Sequence, residues 1–74
     1  MNHVVSAEIV ANVMTVQVEV GDVVTTETPL IILESMKMEI PVLSERPGTV
    51  TEVVVKAGDV VHDGDPLVIL EVRA

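Results

Sequence analysis

Few residues in this sequence could do chemistry, and the choice narrows quickly. Glu34-Ser35-Met36-Lys37-Met38-Glu39 places one lysine between two methionines and two glutamates near the middle of the chain. A lysine amine, once deprotonated, is a nucleophile that can form an amide with an activated acyl group. Glu34 and Glu39 have the residue types of an acid/base pair, but nothing nearby supplies a substrate pocket and the chain is too small to build one. Ser6, Ser35 and Ser44 lack an adjacent histidine base, which argues against nucleophilic catalysis. Asp59, Asp63 and Asp65 around Gly64 do not have the spacing of an EF-hand loop and are ordinary turn residues. His62 falls in that same turn, and His3 sits near the N-terminus. Two distant histidines and no cysteine make no metal site. The lysine is what remains.

The elements around Lys37 must present it. Leu30-Ile31-Ile32-Leu33 runs into the stretch and Ile40-Pro41-Val42-Leu43 runs out of it, two apolar runs around a polar break, as in a β-hairpin. A two-residue loop would be Met36-Lys37, with Ser35 opposite Met38, Glu34 opposite Glu39 and Leu33 opposite Ile40. Such loops favour φ > 0, which Asn-Gly adopts cheaply and Met-Lys does not. Like charges facing across a strand pair are also unfavourable. A tip that breaks two local rules is where function is expected, and φ > 0 is expected at Met36, Lys37 or both. A hairpin tip on a tight scaffold would keep the amine accessible and fixed. Methionine flanks are soft enough to meet several partners, unless they are packed in the core.

The rest of the chain reads as strands. Val4 to Val10 is a first strand, with a weak turn at Ala11-Asn12. Val13 to Val20 alternates, with Met14, Val16, Val18 and Val20 on one face. Gly21-Asp22 is a turn, Val23-Val24 a brief strand, and Pro29 opens the strand that leads to the hairpin. The pattern then recurs at an offset of 37 positions. Gly58-Asp59-Val60-Val61 matches Gly21-Asp22-Val23-Val24, Pro66-Leu67 matches Pro29-Leu30, and Ile69-Leu70-Glu71 matches Ile32-Leu33-Glu34. An ungapped offset of half the chain means two copies of one unit. Each copy has one apolar face, so packing them together predicts an all-β fold, two antiparallel sheets around one core, closed or nearly closed. The buried set is expected to include Val16, Val18, Leu30, Ile32, Ile40, Val53, Val55, Leu67 and Ile69. Ala74 is the counterpart of Lys37, so the Lys37 tip should lie far from the termini.

Composition sets the bounds. Seventy-four residues allow one domain, 1–74, near the lower size at which a core holds without staples. There is no cysteine and no aromatic residue, so the core must be Val, Ile, Leu and Met; roughly a quarter of the chain is valine, which favours strands. A net charge of −8 argues against nucleic acid or anionic membrane as partner. No apolar stretch reaches transmembrane length and Met1-Asn2-His3 opens no signal sequence, so a soluble, cytoplasmic, monomeric protein is expected.

Ser-Met-Lys-Met-Glu between two apolar strands resembles the attachment motif of the biotinyl domain. The chain is similar, over nearly its whole length, to the biotin carboxyl carrier family and to its small free-standing biotin/lipoyl attachment proteins. The resemblance implies a flattened eight-stranded barrel with lysine at one end and the termini at the other. It implies biotin in amide linkage on Lys37, with Met36, Met38, Glu34, Ser35 and Glu39 forming the attachment motif. With an acid/base role set aside, Glu34 and Glu39 are read as serving solubility and ligase recognition. It implies a carrier, not an enzyme, loaded by a biotin protein ligase and shuttling an activated carboxyl group from a biotin carboxylase to a carboxyltransferase, both on separate chains. Lipoyl domains resemble it in fold but usually place Asp before the lysine and Ala after it; a lipoyl carrier and an unmodified β-barrel interaction module are the rival readings. Some family members carry a protruding loop in the first half, for which the ungapped offset leaves no room. The family also tends to place Pro-Gly ahead of the second strand of each half. Pro47-Gly48 keeps this in the second half, whereas the first has Val10-Ala11.

Overall fold

A computed structural model describes residues 1–72 of the chain. Those residues form eight strands: β1 (Asn2–Ser6), β2 (Ala11–Val16), β3 (Val23–Val24), β4 (Pro29–Ser35), β5 (Met38–Leu43), β6 (Gly48–Val53), β7 (Val60–Val61) and β8 (Pro66–Glu71). One four-stranded sheet has the order β1-β8-β6-β3 and the other β5-β4-β2-β7. All pairings are antiparallel. Among the described residues no helix is long and apolar enough to cross a membrane.

The 37-residue repeat recurs in the backbone bonding of the glycine-aspartate turns. Gly21 N–H donates to the Val50 carbonyl and Gly58 N–H to the Val13 carbonyl, both at 2.8 Å. Both glycines have φ 98°, a left-handed conformation that a Cβ would strain. Asp22 caps its turn by accepting from Glu19 N–H at 2.9 Å, and Asp59 does the same for Lys56 N–H at 3.0 Å. The halves do not pack as separate sheets, however. Each sheet takes two strands from each half, because β3 pairs with β6, β7 with β2 and β1 with β8. The β1–β8, β2–β7, β3–β6 and β4–β5 ladders thus tie one copy to the other, and neither copy could bury its apolar face alone.

Burial corrects the sequence reading in detail. Val18, Leu30 and Leu67 are buried as expected, and Val16, Ile40, Val53 and Val55 pack half-buried against the core. Ile32 and Ile69 instead face outward, and Ile31, Leu33, Val68 and Leu70 fill the interior. The cause is a bulge. Leu30 has no partner on β5 and Leu67 none on β1, so two successive residues turn inward and the alternation then runs on the other parity. Met14 and Thr51 are the matching bulges of β2 and β6. Met14 is therefore exposed, as is Val20, which lies beyond the strand, and the inner face of this segment is Ala11, Val13, Val16 and Val18. The first strand ends at Ser6, not Val10. The corner falls at Glu8-Ile9, and Ala11-Asn12, read as a turn, opens β2.

Strand direction fixes the two ends of the molecule. β4 starts near β3 and runs toward β7, while β8 starts near β7 and runs toward β3. The β4–β5 hairpin therefore lies at one end of the 36 Å long axis, and Met1 with Val72 at the other. Ala74, named above as the counterpart of Lys37, lies outside the described residues.

Candidate functional site

The β4–β5 hairpin closes as the sequence predicts. Ser35 pairs with Met38, Glu34 with Glu39 and Leu33 with Ile40, leaving Met36-Lys37 as a two-residue loop. Met36 has φ 52° and Lys37 φ 65°, and no other residue except glycine has positive φ among the described residues. Two left-handed central residues make a type I′ turn, whose twist matches the strands it joins. For residues bearing a Cβ, this conformation costs about 1–2 kcal/mol each. The ladder beneath must supply that energy: Leu33 is buried in the core and Ile40 packs against it.

The turn aims Lys37 into solvent. Lys37 is exposed, and its amine makes no ion pair among the described residues. Met36 is 88% exposed and Met38 59%, so neither thioether serves core packing and both frame the amine. Ser35 is half-buried at the base of the turn. Glu34 and Glu39 sit opposite each other on the outer face, both exposed, in a row with Asn12 and Val60. The structure thus brings together all six residues singled out from the sequence, Glu34 through Glu39. It forms a protruding amine, not a catalytic pocket. A side chain held this way can be inserted into another protein's active site, and a group attached to it would extend beyond the sheet ends.

The other candidates resolve into scaffold. Ser44 is buried, its hydroxyl donating to the Arg46 carbonyl and accepting from Arg46 N–H. Asp65 accepts from His62 N–H at 2.9 Å, with the imidazole 3.7 Å away. With the Asp59 cap, this accounts for two of the three aspartates as turn residues. No cluster suited to a metal ion occurs among the described residues. Lys56 lies in the exposed loop after β6, where its backbone joins the Asp59 turn.

Sequence reasoning did not anticipate the packing around the second corner. A Cβ built on Gly48 would lie 2.5 Å from the Glu71 carbonyl oxygen, so β6 approaches β8 too closely there for any other residue. The equivalent position in the first half is Ala11, whose Cβ is present and buried. Pro47-Gly48 therefore marks a close strand approach at the end holding the termini. At the departure from that pattern, Val10-Ala11, the fold accommodates the buried Ala11 methyl.

Comparison with known proteins follows the same lines. The sequence model of the family described as "Biotin-requiring enzyme" (biotin/lipoyl) matches residues 4–70. A Mycobacterium leprae protein named as a homolog of biotinylated protein TB7.3 is 52% identical over 48 residues, covering 65% of this chain and 68% of that protein. The urea carboxylase of Kluyveromyces lactis contains a region that superposes with a TM-score of 0.89 at 28% identity. The match spans 96% of this chain but 6% of the carboxylase. The lipoyl domain of the 2-oxoglutarate dehydrogenase complex from Azotobacter vinelandii superposes with a TM-score of 0.70 at 29% identity, over 84% of this chain and 78% of that domain.

Proposed function

The chain belongs to the biotin/lipoyl attachment family, a family of carrier domains, and from that we infer that Lys37 is its attachment lysine and biotin its group. The observation that carries the inference is the type I′ turn, which strains two residues to hold an exposed, unpaired amine between two exposed methionines. The residues fit the group. An amide to Lys37 needs an accessible amine with no competing carboxylate partner, and the tip provides one. Once bound, biotin supplies a ring nitrogen able to hold a carboxyl group.

The chain's own part is mechanical. The β4–β5 ladder fixes the base of the lysine stem, the stem gives reach, and attachment to the carrier raises the local concentration of the group at a partner enzyme. Met36 and Met38 offer adaptable apolar contact to more than one partner. Glu34 and Glu39 keep the tip soluble and give a ligase a charged feature to recognise. In this reading a biotin protein ligase loads Lys37, and a biotin carboxylase and a carboxyltransferase use the loaded carrier in turn, with the chain acting as a cytoplasmic monomer. Support comes from the methionines on both sides of Lys37, from the relative named as biotinylated, and from the carboxylase region with the same fold.

A lipoyl carrier is the second reading, favoured by the likeness to the lipoyl domain. Intact mass of the protein isolated from its native host separates the two. A biotin-sized increment supports the proposal, and a lipoyl-sized increment or none contradicts it.

A further inference from the structure

The two sheets are each open at one long edge, β1 in one and β5 in the other, and a cleft of about 450 Å³ lies between those edges. The two strands occupy equivalent positions in the repeat, yet only one is guarded. Met1 and Val72 exchange backbone bonds, Met1 N–H reaching the Val72 carbonyl at 3.2 Å and Val72 N–H the Met1 carbonyl at 2.8 Å. Antiparallel pairs alternate, so His3 and Val5 also bond inward to β8, while Asn2 and Val4 turn their N–H and C=O groups away from it. On β5 the same alternation, starting from the Ser35–Met38 pair, turns Glu39 and Pro41 outward. Pro41 has no N–H, and a charge or a proline is how proteins commonly blunt an edge. The counterpart of Pro41 is Val4, 48% exposed, on a strand with neither proline nor acid.

We infer that the β1 edge is a docking surface for an extended, basic segment of a partner protein, which adds as a strand beside Asn2–Ser6. Main-chain bonding to an open edge supplies affinity in such complexes, and side chains supply specificity. Charge selects the occupant. Glu8, Glu45 and Asp63 line the cleft, and His3 is the one side chain there able to carry positive charge. A second copy of this chain would bring another net charge of −8 against those carboxylates, whereas lysine or arginine side chains would be drawn to them. This surface is separate from the Lys37 turn and does not depend on what that lysine carries.

The test titrates the protein, with Lys37 unmodified, with three capped synthetic peptides and follows backbone amides by NMR. One peptide alternates lysine and valine, one glutamate and valine, and one lysine and proline. Binding of the lysine–valine peptide alone, with several-fold slower exchange at the Asn2 and Val4 amides, is expected. Val4→Pro should abolish it with the fold retained, since the repeat already holds proline at position 41. Glu8→Lys with Glu45→Lys should weaken it without touching the edge backbone. Equal binding of the lysine–proline peptide, unchanged affinity in Val4→Pro, or no binding at all would overturn the inference. Protection of the same amides by self-association without peptide would also overturn it, assigning the edge to a second copy.

Discussion

The two ends of the molecule are the same structure used differently. Val72 and Met1 stand at the repeat positions of Ser35 and Met38, and they exchange the same kind of closing backbone bonds. At the Lys37 end a two-residue loop joins the pair. At the other end the pair is held by the ladder itself, with the N-terminal ammonium 3.2 Å from a Glu71 carboxylate oxygen. The strand ends therefore need no loop to stay together. That teaches what the Met36-Lys37 turn is for. The fold requires a reversal there but not these residues, and Met36 and Lys37 add strain of about 2–4 kcal/mol for two left-handed residues, against total stabilities of about 5–15 kcal/mol. Local cost without structural return is expected at a functional position.

The largest effects should be symmetric, because both ends rest on one core. Leu33→Ala and Leu70→Ala remove buried side chains at repeat-equivalent positions of β4 and β8, and each should cost about 2–5 kcal/mol in denaturant unfolding. A loss confined to one of them would mean that the halves do not share a single core.

The next effect should be asymmetric. Gly48→Ala forces a Cβ against the Glu71 carbonyl and should destabilise by about 1–3 kcal/mol, as overpacking does. Ala11→Gly, at the repeat-related site, should cost about 1 kcal/mol through backbone entropy and the lost methyl. Equal and small effects would show that the strands approach equally at both ends.

A smaller effect, and of opposite sign, is expected at the turn. Met36→Asn with Lys37→Gly puts the favoured type I′ residues into the same backbone, and should raise stability by about 1–2 kcal/mol while removing the amine. Unchanged or lower stability in thermal unfolding would mean that Met36 and Lys37 are not strained.

Much of this was legible in the sequence, and the reasons are local. The hairpin register followed from two apolar runs around six polar or amphipathic residues. The left-handed turn followed from the absence of any other loop, and the repeat from glycine-aspartate pairs that cap matching turns. The inner face of β4 and β8 was not legible. Leu30, Ile31, Ile32 and Leu33 are all apolar, so composition cannot say which of them a bulge will turn outward, and no glycine marks the bulge. The interleaving of the halves was hidden for a similar reason. A repeat shows that two units are alike, but strand pairing between units leaves no pattern within either. Chemistry at the site was legible because Lys37 broke rules the scaffold obeys everywhere else.

Attachment at Lys37 is tested most directly by intact mass after co-expression with a biotin protein ligase and biotin. The unmutated chain, Lys37→Arg and Lys56→Arg should be compared together. Arginine keeps the charge and most of the stem but stays protonated, so it offers no free amine. Lys56 is an exposed lysine in a loop of the opposite half and controls for indiscriminate acylation. A biotin-sized increment is expected on the unmutated protein and on Lys56→Arg, and none on Lys37→Arg, with all three chains folded. An increment that survives Lys37→Arg, or none on the unmutated chain where a known carrier is modified, would contradict the assignment.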